Sequence, residues 1–289
     1  MQDELLALFN QLDDTPMERE EVHRAPFPYV GAKTRTLKQL LTHLPYDDVW
    51  IDAFGGSGVV TLHRRPSKLE VFNDRHAGIT SFYRCLQVVE TRDKLIERLE
   101  LTVHSREEYN YCRDTWEHDH LNDLERAARW YYSVAYSFGG VGRNFGRTLD
   151  PVARLAGKIR ERLLAFDNIH HRFKHIQVEN ADWRTMFKDY DSPRTVWYLD
   201  PPYYGLNTYK HEMTKADHIE MCGRIFDLKG FVALSGFDNP VYDQFPWDDK
   251  KSWPLIMTVT SRATKTDTSN VEHIGEKVKT DNLWIKEYS

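Results

Sequence analysis

The stretch "VWIDAFGGSGVV", residues 49–60, decides the fold. A short apolar run ends in Asp52 and passes through Gly55, Gly56 and Gly58 into a second apolar run. A brief apolar segment bounded by glycines reads as a buried strand, and the run after the loop reads as the start of a helix. Glycines at that junction let backbone amides come close to a ligand at a helix N-terminus.

The same pattern recurs on either side. "KLEVFND" (68–74), "HIQVEN" (175–180), "TVWYLD" (195–200) and "FVALSGF" (231–237) are apolar runs closing on polar or turn residues. Helical segments lie between some of them. One is "TKADHIEMCGRIFDLKG", opening on Thr214 as an N-cap and closing on Gly230. Strands alternating with helices predict an α/β fold built on a mostly parallel sheet, with ligands at the carboxyl ends of its strands. "SWPLIMTVTSRA" and "NLWIKEYS" are expected to add two late antiparallel strands. From Gly78 to Leu149 the strand pattern gives way to charged helical sequence and then to the glycine-rich "GGVGRNFGR". We therefore expect residues 1–77 and 150–289 to form one domain carrying an insertion, 78–149, with residues 1–24 a helical or loose extension.

Composition narrows the function classes. No apolar run reaches the roughly 20 residues that span a bilayer, and the acidic "MQDELLALFNQLDD" does not read as a signal peptide. Three separated cysteines without CxxC spacing argue for a reducing compartment and against a disulfide framework or structural zinc. The net charge of −5 means that a nucleic acid would need a local basic face. Two stretches free of acids offer one. Arg24 to Lys38 carries four basic residues, and Trp130 to Leu149 carries Arg143 and Arg147. Solvated surface patches are the plainer reading of both. The histidines at 118/120 and 170/171/175 lack metal-ligand spacing, so no metal is expected.

Asp74 closes the second strand roughly 20 residues beyond the glycine loop, where an acid can accept from a ribose diol. That is a nucleoside-cofactor signature, and it leaves the cofactor open. "GAKT" at 31–34 is not a phosphate-binding loop, because Ala32 stands where that motif requires glycine. The most informative turn is "DPPYYG" (200–205). Pro201 and Pro202 have no amide hydrogen for a sheet ladder, so the strand before them must stop. Asp200 and the Pro201 carbonyl can then act as two fixed acceptors around one small polar group, with Tyr203 as an aromatic lid. An exocyclic amine on a base is a poor nucleophile, and two acceptors on its hydrogens would localise its lone pair as a bond to carbon forms.

Together and in this order, "YVGAK", "FGGSG", "ENADWRTMF", "DPPYYG" and the closing "NLWI" resemble the Dam-type adenine-N6 DNA methyltransferases, from about Pro26 to Trp284. The resemblance implies a Rossmann-like methyltransferase sheet and S-adenosylmethionine as cofactor. It implies cofactor contacts from Tyr29, Lys33, Asp52, Phe54, Gly55, Gly56, Gly58, Asp74, Asp182 and Asp200. Asp200, Pro201, Pro202 and Tyr203 would form the catalytic turn. It also implies double-stranded DNA as substrate, with the target adenine flipped out of the duplex. The inserted, mainly helical region would recognise the DNA, with Arg143, Asn144 and Arg147 as candidate contacts. It lacks an obvious hairpin. The setting implied is cytoplasmic and nucleoid-associated in a bacterial or phage-infected cell, with or without a partner restriction enzyme, as a monomer. The alternatives are a cytosine-N4 methyltransferase, a catalytically idle DNA-binding subunit and a nicotinamide-dependent dehydrogenase. The intact Asp200–Tyr203 turn and Lys33 count against the idle subunit.

Overall fold

The computed structural model describes residues 25–29, 31–137, 140–146, 152–204, 211–257 and 277–289. The N-terminal extension and Arg147 lie outside the described residues. Seven strands form one sheet: β1 Val49–Asp52, β2 Leu69–Asn73, β3 Gln177–Glu179, β4 Thr195–Leu199, β5 Phe231–Phe237, β6 Asp249–Met257 and β7 Lys277–Lys286. Their order is β3-β2-β1-β4-β5-β7-β6. The first five are parallel, and β7 runs antiparallel to both β5 and β6. The apolar runs at 49–54, 68–74, 175–180, 195–200 and 231–237 thus become the parallel strands, and the two late segments contribute the antiparallel pair.

Parallel strands covered on both faces need apolar side chains at nearly every position, and all five residues of β4 are buried. Alternation along the strands divides the core. Ile51, Trp197, Leu199, Val232 and Leu234 face one side, packed on Trp183, Met186, Met221 and Ile225. Those partners come from helices α9 (Trp183–Asp189) and α10 (Lys215–Ile225). Trp50, Val196, Tyr198 and Ala233 face the other side, on α1 (Leu37–Leu41) and α2 (Val59–His63).

Between β2 and β3 run α3 (Ala77–Gln87), α4 (Val89–Glu100), α5 (Arg106–Thr115), α6 (Asp123–Ala135), α7 (Val152–Leu164) and α8 (Phe166–Phe173). An aromatic core that includes Phe82, Tyr83, Trp130, Tyr131, Phe166 and Phe173 joins α3, α6 and α8 to Phe72 of β2. The tyrosines of "WYYSVAYSF" are therefore packing residues: Tyr131 and Tyr132 are buried, and the Tyr131 hydroxyl donates to the Pro26 carbonyl at 3.1 Å. Among the described residues, no helix is long and apolar enough to cross a membrane.

Two local expectations change. Thr214 caps α10 with a full capping box to Asp217, but the helix ends at Ile225 rather than at Gly230. Gly230 is instead a close-packing position, where a Cβ would stand 2.3 Å from the Thr195 carbonyl oxygen. The glycine-rich loop after α6 does fold back on itself. Ser137 bridges antiparallel to Phe145, and the Gly146 amide donates to the Tyr136 carbonyl at 2.8 Å. Gly140 and Gly142, both at positive φ, allow the reversal.

Candidate active site

Strand order reverses between the parallel strands β1 and β4: β2 and β3 lie on one side of that pair, β5 on the other. Loops leaving the two strands diverge there, so a crevice opens at their carboxyl ends. The loops after β1, β2 and β4 meet in it, with Asp52 in register with both Phe72 and Tyr198.

The glycine loop is tied at several points. The Gly55 amide donates to the Asn73 carbonyl at 2.7 Å, and the Gly56 amide donates to Asp74 Oδ2 at 2.8 Å. The other oxygen of Asp74 accepts from the His76 amide at 2.7 Å. Burial pushes the Asp74 carboxyl up to about 6, and these two amides only partly offset it. Gly58 is in the left-handed region at φ 68° as the N-cap of α2. Its Cα faces the Tyr83 ring, whose hydroxyl donates to the Ser57 carbonyl at 2.6 Å. Gly55 and Gly56 line the crevice, whereas Gly58 is absent from its wall and serves the packing beneath it.

Asp52 also lies below the crevice rather than in its wall. It is 1% exposed, and its Oδ2 accepts from the Thr61 hydroxyl at 2.7 Å. That hydroxyl in turn accepts from Trp50 Nε1 at 3.0 Å. Burial pushes the Asp52 carboxyl up to about 7, with the Thr61 bond opposing and the charges of Asp200 and Asp74 adding to it. Asp52 thus braces the β1 end and α2.

The Asp200 turn meets Lys33 from the short 3-10 turn Lys33–Arg35. Lys33 Nζ lies 3.2 Å from Asp200 Oδ1 and donates to the Tyr203 hydroxyl. It also donates to Asp281 Oδ1 of β7 at 3.1 Å, while the Thr36 hydroxyl donates to Asp281 Oδ2 at 2.9 Å. The Asp200 contact is an ion pair without hydrogen-bond alignment, so among the described residues Asp200 Oδ1 accepts no hydrogen bond. That oxygen is sealed against Lys33. The 18% of the side chain left open is carried by its other atoms, at the crevice wall. Burial pushes the Asp200 carboxyl up to about 6, with Lys33 pulling it down and Asp281 pushing it further up. The Tyr203 ring packs edge-on against Phe237 at 4.5 Å.

The crevice therefore gathers Tyr29, Lys33, Phe54, Gly55, Gly56, Asp74, Asp182, Asp200 and Pro202 in one wall, whereas Pro201 and Tyr203 are buried and do not line it, the Tyr203 hydroxyl meeting Lys33. Asp182 has structural duties as well. It caps α9 by accepting from the Arg184 amide at 3.0 Å, and it pairs with Arg75 at 3.4 Å and with the Arg184 guanidinium at 3.2 Å. Arg143 and Asn144 stand exposed in the folded-back loop and do not line the crevice, although Gly140 and Val141 of the same loop do. Sequence reasoning missed Asp281, Thr36 and Tyr198, along with Trp130, Val141 and Trp183 of the wall. Asp281 stands among charged and polar residues in β7 (KVKTDNLWIK), so no local signal set it apart.

The Asp200–Tyr203 turn, the glycine loop and a carboxylate closing β2 thus share one crevice, and comparison with known proteins points the same way. The Type II methyltransferase M1.LlaDCHI of Lactococcus lactis subsp. cremoris is 26% identical over 260 residues, covering 79% of this chain and 86% of that protein. The DNA N-6-adenine-methyltransferase of Escherichia phage P1 is 27% identical over 124 residues, 43% of this chain but only 16% of that one. Residues 29–221, more than half of the chain, match the family described as D12 class N6 adenine-specific DNA methyltransferase, and the chain belongs to that family.

Proposed function

We propose that the crevice binds S-adenosylmethionine on its glycine-loop side and receives a flipped adenine of double-stranded DNA on its Asp200 side. The observation that carries this reading is the junction itself: Asp74 and Asp200, at the ends of two parallel strands, border the same space. The residues present fit such a cofactor. Asp74 is a half-buried carboxylate in the wall whose two oxygens each accept one amide and keep further lone pairs for a ribose diol. Its amide partners hold Gly55 and Gly56 open to the ligand, while Tyr29 lies so close that a Cβ on Gly56 would stand 2.8 Å from its ring. The wall carries the carboxylates Asp74, Asp182, Asp200, Glu212 and Asp217 against the cations Lys33, Arg75 and Arg184, a net acidic surround suited to a cationic ligand. When bound, the cofactor supplies an electrophilic methyl group on a sulfonium.

The chain's own part is to bind, orient and accept. Asp200 and the Pro201 carbonyl accept the hydrogens of the adenine N6 amine and so localise its lone pair toward the incoming methyl. Tyr203, anchored by Lys33 and Phe237, fixes the turn on which the base rests. Phe54 and Asp182 border the cofactor side. Asp52 and Gly58 act from beneath, by fixing the loop. The charge of Asp200 is available above about pH 6 and is lost below it.

The helical stretch 78–149 takes the role of target recognition within this reading, with the domain to either side of it supplying catalysis. Arg143 and Asn144 sit exposed on the folded-back loop, in a stretch with no acid, where side chains can reach a groove edge or a phosphate. Arg147 belongs to the same stretch of sequence. The test is expression in a methylation-free bacterial strain followed by single-molecule sequencing. N6-methyladenine at one recurring sequence supports the reading. Unmodified DNA from soluble protein, or modified cytosine, overturns it.

A further inference from the structure

We propose that Asp281 is a positioning residue for methyl transfer: held by Thr36, it shares the Lys33 ammonium with Asp200 and so limits how much of that positive charge bears on the carboxylate that accepts the target amine. The proposal rests on the reading of Asp200 as that acceptor. Asp281 is 3% exposed and 248 residues from Lys33 in sequence, so the fold brings a second buried carboxylate to a single ammonium. The two oxygens lie almost equally far from Nζ, at 3.1 Å and 3.2 Å. Only the Asp281 contact has hydrogen-bond alignment, and the Tyr203 hydroxyl takes another ammonium hydrogen. The Thr36 hydroxyl fixes the far oxygen of Asp281 at 2.9 Å. Remove the Asp281 charge and the buried Lys33 ammonium is left with Asp200 as its nearest carboxylate, beside the Tyr203 hydroxyl that it already meets. Such a pair draws closer, because the competing negative charge is gone. Closure onto the sealed Oδ1 would put more positive charge on the Asp200 carboxylate and make the oxygen that faces the crevice a weaker acceptor.

Among the described residues, the charged and titratable groups facing Asp200 are Lys33 from the 3-10 turn, Asp281 from β7, Asp52 from β1, Tyr198 from β4, Tyr203 from its own turn, and Tyr242 from the 3-10 turn Tyr242–Gln244. Lys33 is the cation among these described groups, so the share of it held by Asp281 bears on how much positive field Asp200 feels.

Single-turnover methylation of duplex DNA between pH 5.5 and 9, with cofactor and DNA affinities measured separately, tests the proposal on Asp281→Asn, Asp281→Glu and Thr36→Val. Asp281→Asn is expected to slow transfer by about 10- to 100-fold, the scale of a misplaced reacting group. Its acid limb should move down by about half a pH unit or more, because Lys33 then acts on Asp200 alone. Cofactor and DNA affinities should stay within about twofold of wild type, so that the loss falls on the rate rather than on binding. Asp281→Glu, which keeps the charge, should recover part of the rate, and Thr36→Val should change it in the same direction by about 2- to 5-fold. A wild-type rate and an unmoved acid limb in Asp281→Asn would overturn the proposal. So would equal losses in the Asn and Glu variants accompanied by loss of cofactor binding. Should Asp281→Asn fail to fold, Thr36→Val decides alone, and an unchanged rate and pH profile refutes it. Asp200→Ala runs beside these. If it stays active, the reading of the site has failed; if it is dead while Asp281→Asn behaves as wild type, only the present inference has.

Discussion

Replacing Gly58 by alanine should unsettle the floor of the cofactor crevice, and the structure supplies the terms. The backbone sits at φ 68°, a conformation that costs an alanine about 1–2 kcal/mol. The new Cβ would stand 2.3 Å from the Tyr83 hydroxyl and 2.9 Å from its Cζ. Tyr83 has nowhere to go: it is fully buried, stacked on Phe173 at 4.2 Å and tilted against Phe72 at 4.6 Å. Overpacking of that kind costs about 1–3 kcal/mol. Pushing the ring aside also breaks its bond to the Ser57 carbonyl, at about 1 kcal/mol. The terms overlap, so we expect a destabilisation of about 3–5 kcal/mol, read as a fall in Tm of roughly 6–20 °C. Urea unfolding and thermal melts measure it. Gly223→Ala is the control, since a Cβ there meets nothing within 4 Å inside α10, and it should stabilise by about 0.5–1 kcal/mol. Tyr83→Phe removes the clashing oxygen, so the double variant should lose about 1 kcal/mol less than the sum of the singles. A Gly58→Ala protein within about 1 kcal/mol of wild type, or strict additivity with Tyr83→Phe, refutes the reasoning.

Asp74→Ala should weaken S-adenosylmethionine binding by roughly 1.5–3 kcal/mol in calorimetry, since it removes the acceptor of the ribose and the anchor of Gly56 together; unchanged affinity would move the ribose elsewhere. Arg143→Ala should cost about 1–3 kcal/mol on the cognate duplex if it reads a base, or weaken all duplexes alike and lower the salt slope by about one if it grips phosphate. Binding to cognate and scrambled duplexes across salt concentrations separates the two, and no change on either removes the loop from the interface. Asp52 carries a pH signature. Its carboxyl stands at about 7 in the fold against an ordinary 3.8, so the folded protein holds that proton more tightly. The stabilising contribution is complete below pH 3.8 and is lost as pH rises through about 7. Asp52→Asn should therefore gain on wild type in Tm between pH 6 and pH 9, and parallel curves would contradict this.

The apolar runs were legible because a parallel sheet covered on both faces has little room for polar side chains, and β4 and β5 announce themselves that way. The Asp200–Tyr203 turn was legible because two prolines end a strand abruptly. What the sequence hid is of another kind. Gly58 and Asp52 share a motif with residues that line the crevice, yet they face Tyr83 and Thr61 beneath it. A strand–loop–helix pattern records which residues are near a ligand but not which way each one faces. Asp281 was hidden because its meaning depends on β7 inserting antiparallel between β5 and β6, a pairing that no local pattern encodes. Gly230 was read as a helix end, although its constraint comes from the Thr195 carbonyl of a neighbouring strand.

The central claim is that Asp200 acts on the adenine amine while the rest of the crevice binds. Single-turnover transfer to duplex DNA by Asp200→Ala, with N6-methyladenine counted by mass spectrometry and both affinities measured alongside, tests it most directly. The account predicts a loss of about 100-fold or more in rate, as for removal of a fixed charged acceptor, with DNA affinity largely kept because phosphate contacts supply it. Transfer at more than about a tenth of the wild-type rate would contradict it, because a carboxylate that the reaction does not need cannot be the group that localises the amine lone pair.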